Sequence, residues 1–234
     1  MSLTPELRAA LAAVSTATIH TILLKQGIRR TFMTGPQSLT GSTDRFVGEA
    51  FTLRFVPARE DVATPASWGN PISTRAAIEE MPAGVIVVAD AMGVRDAGIF
   101  GDILAVRMAK RGVVGLVTDG TMRDRVGVLA SGLPIWCAGI AAPSSVNGLT
   151  FVGWQEPIGC GGVAVFPGDI IVADGDGAIC IPAAQVERVA KEGPEQELFE
   201  AWVVSEVEKG TKLPGLYPPN DENKAKYAAW RAKK

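Results

Sequence analysis

The chain has 234 residues, 47% of them hydrophobic and 21% charged, with a net charge of −2. That composition and length belong to an ordinary globular protein, one large domain or a domain with an appendage, with a substantial core, and its one positive cluster, the tail at 231–234, is no basic stripe for nucleic acid. Three widely spaced cysteines, Cys137, Cys160 and Cys180, with no C-x-x-C pair, exclude a disulfide framework and a zinc knuckle.

No apolar run reaches the roughly 18 residues a membrane span needs. The first residues carry Glu6 and Arg8 in a capped helical pattern, unlike a signal peptide, so the expectation is a soluble cytoplasmic protein with no membrane partner. Thr4-Pro5-Glu6 supplies a cap and a proline at the first helical position, and Leu7, Leu11 and Val14 follow at helical spacing. A second helix runs from the Ser/Thr cluster at 15–18 to Gly27. It holds His20, the single histidine, which excludes a histidine triad or a multi-histidine metal site within one subunit. Residues 29–45 are loop-like, broken at Gly35-Pro36 and Gly41-Ser42-Thr43.

Val47, Phe51, Leu53 and Phe55 then alternate with polar or small residues as a half-buried strand that Pro57 ends. An irregular stretch at 58–72 precedes a short helix at 73–81 with Ser73 as cap. The runs at 85–89 and 113–118 suit strands covered on both faces, and a helix at 102–111, stopped by Gly112, lies between them. A third short strand spans 134–138, and the stretch from there to Gly161 is a Gly-, Pro- and Ser-rich loop. Strands joined by Pro167-Gly168-Asp169 and Asp174-Gly175-Asp176-Gly177 follow, with the strongest hairpin signals in the chain. From Ala183 the pattern is helical to Lys209, with a break expected at Gly193-Pro194. Leu216, Tyr217, Tyr227 and Trp230 make the Pro-rich tail too apolar to hang free, so it should dock on its own core or on a neighbouring subunit.

The chemistry concentrates at 97–126, where a Gly-rich turn, a short helix, a buried strand and a turn ending in Arg123-Asp124 follow one another. Asp102 is expected to cap the helix, and twenty residues separate it from Arg123. If the strand packs back beside the preceding turn, both acids and the arginine meet in one pocket, as ligand sites do at the carboxyl ends of strands and at helix N-termini. Gly98 and Gly101 leave amides free there for a carboxylate or phosphate. The two acids offer hard oxygen ligands to a divalent metal, and the arginine offers a donor to developing negative charge. Other features carry less. Asp169, Asp174 and Asp176 lack the glutamate that completes a calcium loop, since Gln185 stands in its place, and no phosphate-loop or G-x-S-x-G motif occurs. Lys110, beside Arg111 on a charged helix end, is poorly placed for a Schiff base.

The segment GDILAVRMAKRGVVGLVTDGTMRD resembles the signature of the RraA-like family, which includes the class II 4-hydroxy-4-methyl-2-oxoglutarate aldolases and the regulator of ribonuclease activity. RFVGEAFTLR, FPGDIIVADGDGAICIP and the Ser/Thr-rich first helices agree with it, over roughly residues 15–190. The resemblance implies a compact α/β/β/α sandwich of the swivelling, phosphohistidine-domain-like type, assembled as a homotrimer or homohexamer. It divides the chain into a catalytic domain at 1–190 and a helical C-terminal extension at 191–234.

It further implies a lyase that cleaves 4-hydroxy-2-oxo acids to pyruvate and decarboxylates oxaloacetate. Mg²⁺ or Mn²⁺ would be held by Asp124, with Asp102 reaching it through water. The amides of Gly101, Asp102, Ile103 and Leu104 would bind the substrate carboxylate, and Arg123 would serve the enolate oxygen. The chain continues past the family core, so its substrate need not be the aldolases'. Glu195, Glu197 and Glu200 are all candidates for a residue reaching a neighbouring subunit's site. A protein-binding regulator of a ribonuclease, or a lyase acting on a sugar-derived oxo acid, are the alternatives.

Overall fold

The computed structural model describes residues 3–233; Lys234, at the end of the basic tail, lies outside them. Helix α1 (Pro5–Ala12) opens where the Thr4 hydroxyl accepts from Leu7 N–H, and α2 (Thr16–Lys25) where Ser15 accepts from Thr18 N–H. The loop beyond carries the two-residue strand β1 (Gln37–Ser38) before β2 (Phe46–Pro57). Strand β2 is buried well beyond simple alternation, because sheet neighbours and core cover both its faces. A 3-10 turn at Pro65–Gly69 interrupts the irregular stretch, and Ser73 caps α3 (Thr74–Glu80) through Ala76 N–H. Next come β3 (Val85–Asp90), α4 (Asp102–Lys110), β4 (Gly115–Thr118), α5 (Arg125–Ala130) and β5 (Ile135–Cys137).

The stretch expected as loop up to Gly161 instead holds β6 (Leu149–Trp154) and β7 (Ile158–Cys160). Gly153 and Gly159 lie inside these short strands, so composition hid the pairing. Strands β8 (Val163–Val165), β9 (Ile170–Ala173) and β10 (Ala178–Ile181) follow. Of the two expected turns, Asp174 to Gly177 closes a hairpin, β9 with β10; β8 pairs instead with β7 in a separate small sheet, so Pro167-Gly168-Asp169 is a crossing between sheets. No single helix among the described residues is long and apolar enough to cross a membrane.

Strands β2 to β5 run parallel, with β1 antiparallel at the β5 edge. The other edge of β2 serves two partners in succession, β9 at Phe46–Glu49 and β6 at Leu53–Pro57, with a register shift between Arg54 and Phe55. One strand feeding two neighbours curls the sheet. Its outer face is therefore covered by two helix groups. Val85, Val87 and Ala89 of β3 pack on Ile78, Met81, Ala105 and Met108 of α3 and α4. Ile170, Val172, Ile179 and Ile181 pack on Leu11, Ile19, Leu23 and Val189 from α1, α2 and α6 (Val186–Glu208). Between the two halves Ile86, Val88, Val117 and Trp136 meet β7, β8 and Cys180. Helix, sheet, sheet, helix is the sandwich expected, and each valine or isoleucine it buries contributes about 1.5–3 kcal/mol.

Helix α6 is unbroken, with Pro194 inside it, against the expected stop. Proline removes one hydrogen bond from the ladder, but tertiary packing decides here: Gly193 lets the helix approach α1 so closely that a β-carbon would meet Val14 Cγ2 at 2.5 Å. The helix thus runs through the position where the sequence divides core from extension. Its second half and α7 (Asp221–Arg231) enclose Trp202, Val203 and Leu216 beneath Phe199, Tyr227 and Trp230, so the tail docks on its own chain. Leu216→Ala should cost about 2–5 kcal/mol in urea denaturation and leave a single transition, because α6 belongs to both parts. A separate early transition for the tail would contradict that coupling.

Candidate active site at the carboxyl ends of the parallel strands

The loops that leave β3, β4 and β5 are bound to one another by their backbones. Ile99 N–H donates to Thr121 O at 2.8 Å, Arg123 N–H to Phe100 O at 2.9 Å, Gly98 N–H to Pro143 O at 2.8 Å, and Ala141 N–H to Met122 O at 2.9 Å. Asp119 ties the same region from below, its carboxylate accepting from Ala91 N–H at 2.8 Å and Gly161 N–H at 3.2 Å. Burial pushes the Asp119 carboxyl above its ordinary range, and these backbone donors work against that shift.

The result is a cavity of about 430 Å³ lined by Gly98, Gly101, Asp102, Ile103, Leu104, Arg123 and Asp124, and also by Trp68, Thr74, Arg75, Ser144 and Ser145. Every residue singled out between 97 and 126 as a ligand or donor lies in the lining of this one cavity. A neighbouring cleft of about 480 Å³ shares Trp68, Thr74 and Ser145 but is lined by no ionisable side chain, so the chemistry belongs to the first.

Asp102 does not cap α4. Gly101 is the cap residue and Asp102 the first helical one, its Oδ1 accepting from Ile103 N–H at 2.7 Å. The helix starts at the expected residue, but the extended cap position falls on Gly101, which glycine's conformational freedom permits. The carboxylate is left to face α5, where a β-carbon on Gly127 would meet Asp102 Oδ2 at 2.5 Å. A β-carbon on Gly101 would likewise collide with Asp124 Oδ2. Both carboxylates therefore lie against bare backbone.

Asp124 stands at the start of α5 with φ 53° and ψ 48°, the left-handed region, and its side chain makes no capping bond. This conformation costs a non-glycine residue about 1–2 kcal/mol. The side chain caps nothing, and although aspartate tolerates this region better than most residues, such strain gathers at functional sites. Arg123 Nε donates to Asp124 Oδ2 at 3.1 Å, with both side chains partly exposed. A pair of that kind is worth about 1 kcal/mol or less, so either partner is available to a ligand.

No group of three or more His, Cys, Asp or Glu side chains converges among the described residues. The donor set is therefore two carboxylates with open space around them, which fits a hard cation such as Mg²⁺ that keeps several waters. Asp169 and Asp174 are structural: Asp174 accepts from Thr16 N–H and the Thr16 hydroxyl, each at 2.9 Å, and Asp169 from Phe166 and Ala183 N–H. Lys110 is exposed at the far end of α4, and His20 faces the Thr31 hydroxyl at 3.2 Å.

The three C-terminal glutamates do not line the pocket of their own chain. Glu195 bonds Tyr227 and Arg231, and both hold its carboxyl below the ordinary range. Burial drives the Glu197 carboxyl upward, but Ser15 N–H and the hydroxyls of Ser15 and Thr18 bring it below the ordinary value. Glu200 accepts from Gln196 at 2.7 Å.

Sequence reading missed Trp68, Thr74, Arg75, Ser144 and Ser145. The one signal available was a tryptophan in an irregular stretch with no helical or strand period to bury it.

Residues 16–180 match the RraA-like, Aldolase/RraA, family. A Halalkalibacterium halodurans protein provisionally named 4-hydroxy-4-methyl-2-oxoglutarate aldolase is 31% identical over 165 residues, 68% of this chain and 78% of that protein. Protein DlpA of Legionella pneumophila is 28% identical over 72% of this chain, which spans only 26% of DlpA's length. Among solved structures, an unusual member of the RNase ES inhibitor RraA protein family from Streptomyces coelicolor superposes with a TM-score of 0.76 at 34% identity, covering 85% of this chain and 96% of its own. An uncharacterized Pseudomonas syringae protein shares the fold at a TM-score of 0.78 and 24% identity, over 93% of this chain and 99% of its own. The extension is thus within the shared fold.

Asp124→Gly separates strain from function. It should hold or raise stability, by up to about 1 kcal/mol, while removing a carboxylate from the pocket. A loss of more than about 1 kcal/mol in urea denaturation would show that the aspartate is there for the fold.

Proposed function

This chain belongs to the RraA-like family, and on that premise we propose that it is a divalent-metal-dependent lyase that releases pyruvate from 4-hydroxy-2-oxo acids and decarboxylates oxaloacetate. The observation that carries this reading is the meeting of Asp102, Arg123 and Asp124 in one cavity beside the first turn of α4. Asp124 would hold the cation directly and Asp102 through a water. When bound, that ion polarises the 2-oxo group and supplies counter-charge to the enolate.

The chain's own residues account for the rest. First-turn amides of α4, at Asp102, Ile103 and Leu104, lack acceptors within the helix and bind the substrate carboxylate, helped by the helix dipole. Ile103 N–H must first leave Asp102 Oδ1. Arg123 donates to the C2 oxygen as it gains charge, an electrostatic role worth on the order of 3 kcal/mol. In aldol cleavage the C3–C4 bond breaks, its electrons form the C2–C3 enolate, and the 4-hydroxyl proton passes to Asp102 through a water as the new carbonyl forms. Protonation at C3 then gives pyruvate. Decarboxylation breaks the corresponding bond of oxaloacetate, releases CO₂ and yields the same enolate, so one site serves both reactions.

We also propose a homotrimer or homohexamer. Ile103 and Val126, 78% and 84% exposed, stand with Val106 and Leu129 on the packed pair α4 and α5, flanking the pocket with apolar surface. Across an interface on that face, a glutamate of the neighbour's C-terminal helix, at the position of Glu195, Glu197 or Glu200, would reach the site. The second reading, a ribonuclease regulator, is favoured by the likeness to the Streptomyces coelicolor inhibitor-family protein. It gives no role to two carboxylates held against bare glycine.

Oxaloacetate decarboxylation should vanish in EDTA and return with Mg²⁺ or Mn²⁺; full activity in chelator would contradict the assignment. Arg123→Lys keeps the charge but loses the planar fork, so kcat should fall about 10²–10³-fold with a smaller change in KM. A normal rate in that variant would favour the regulator. Light scattering should give a trimer or hexamer, and a fully active monomer would contradict the shared-site arrangement.

A further inference from the structure

Besides Arg123 the cavity has a second cation that the proposed chemistry leaves unused. Arg75, on the first turn of α3, lies with its guanidinium carbon 4.9 Å from the centroid of the Trp68 ring, and both side chains line the cavity. No carboxylate among the described residues pairs with Arg75. Glu79, one turn along the same helix, is taken by Arg107 at 2.6 Å and Arg111 at 3.2 Å. The indole is not a rival for the guanidinium's hydrogen bonds. It holds the plane by cation–π attraction and leaves the N–H edge open to an acceptor. Thr74, Ser144 and Ser145 add hydroxyls to the lining of the same cavity.

We infer that Arg75, braced by Trp68, binds the distal carboxylate of the substrate and so selects dicarboxylic 2-oxo acids over monocarboxylic ones. The inference rests on the lyase reading and deepens it. A 2-oxo acid bound by its first carboxylate at α4 must direct the rest of its chain somewhere. The adjacent cleft, with no ionisable lining, would strip a second carboxylate of water without replacing its partners, which is costly. Arg75 can instead offer two parallel N–H donors to it. The indole keeps the guanidinium in place before substrate arrives, reducing the side-chain entropy lost on binding. A neutral or cationic substituent would leave Arg75 without an acceptor, so the same contact discriminates against it.

The test compares wild type, Arg75→Gln, Arg75→Lys and Trp68→Leu with two ligands in the presence of Mg²⁺: oxaloacetate, which has a distal carboxylate, and oxalate, which occupies only the enolate end. Arg75→Gln should raise the oxaloacetate KM about 10–100-fold, more than it lowers kcat, while the oxalate inhibition constant moves far less. Arg75→Lys and Trp68→Leu should fall between Arg75→Gln and wild type, since one keeps the charge and the other keeps the fork. An oxaloacetate KM within about twofold of wild type in Arg75→Gln, or equal weakening of both ligands, would overturn the inference while the lyase reading stands. A wild type that neither decarboxylates oxaloacetate nor binds oxalate would overturn both.

Discussion

Backbone hydrogen bonds between loops, more than any side chain, set the geometry of this molecule's pocket. Ile99 to Thr121, Arg123 to Phe100 and Gly98 to Pro143 extend the parallel sheet beyond the ends of β3, β4 and β5. Two turns separated by more than twenty residues thereby become one rigid wall. Each such bond contributes only about 0.5–1.5 kcal/mol net, but breaking one would leave buried polar groups unpaired, a larger cost. The braid is therefore over-determined, and an over-determined frame can hold Asp124 in a left-handed conformation that it would not choose alone.

From that frame the chemistry follows by exclusion of side-chain bulk. Gly101 and Gly127 carry no β-carbon where one would strike the carboxylates of Asp124 and Asp102. The two acids can thus lie close to backbone without touching each other's counterion sites. Arg123 sits at the junction, bonded to Asp124 loosely enough to exchange that partner for a substrate oxygen. A pocket with one flexible ion pair, two hard oxygen ligands and a helix N-terminus is suited to hold a small oxo acid and stabilise the negative charge it develops.

Much of this was legible in the sequence, for reasons that differ by element. The buried runs at 85–89 and 113–118 have no reading but strands, and Thr4 and Ser73 announce their helices by cap chemistry. The meeting of Asp102 with Arg123 and Asp124 could be anticipated because a helix between parallel strands returns the chain to the same end of the sheet. Strand β6 was hidden because it pairs with β2, about a hundred residues away, a distance that no local period reports, and β7 because three residues around a glycine are too few to show an alternation. Helix α5 is short and Gly-containing, and it begins at a conformation that composition does not signal. Pro194 misled in the other direction: a residue that breaks isolated helices is tolerated where α1 and the tail aromatics hold the helix on both sides of it. Trp68 comes from a stretch with no period at all and Arg75 from a short helix whose place in the fold no local pattern reports, so only folding brings them to the pocket.

The account makes pyruvate enolate the species around which the site is built. The most direct measurement is hydrogen exchange at the methyl group of pyruvate, followed by proton NMR in D₂O with the protein and Mg²⁺. Enolisation at this site predicts catalysed loss of the methyl signal that depends on the protein, stops when EDTA is added, and is inhibited by oxalate. A methyl signal that decays no faster than in protein-free solution, in a preparation shown to be folded and to bind Mg²⁺, would contradict it.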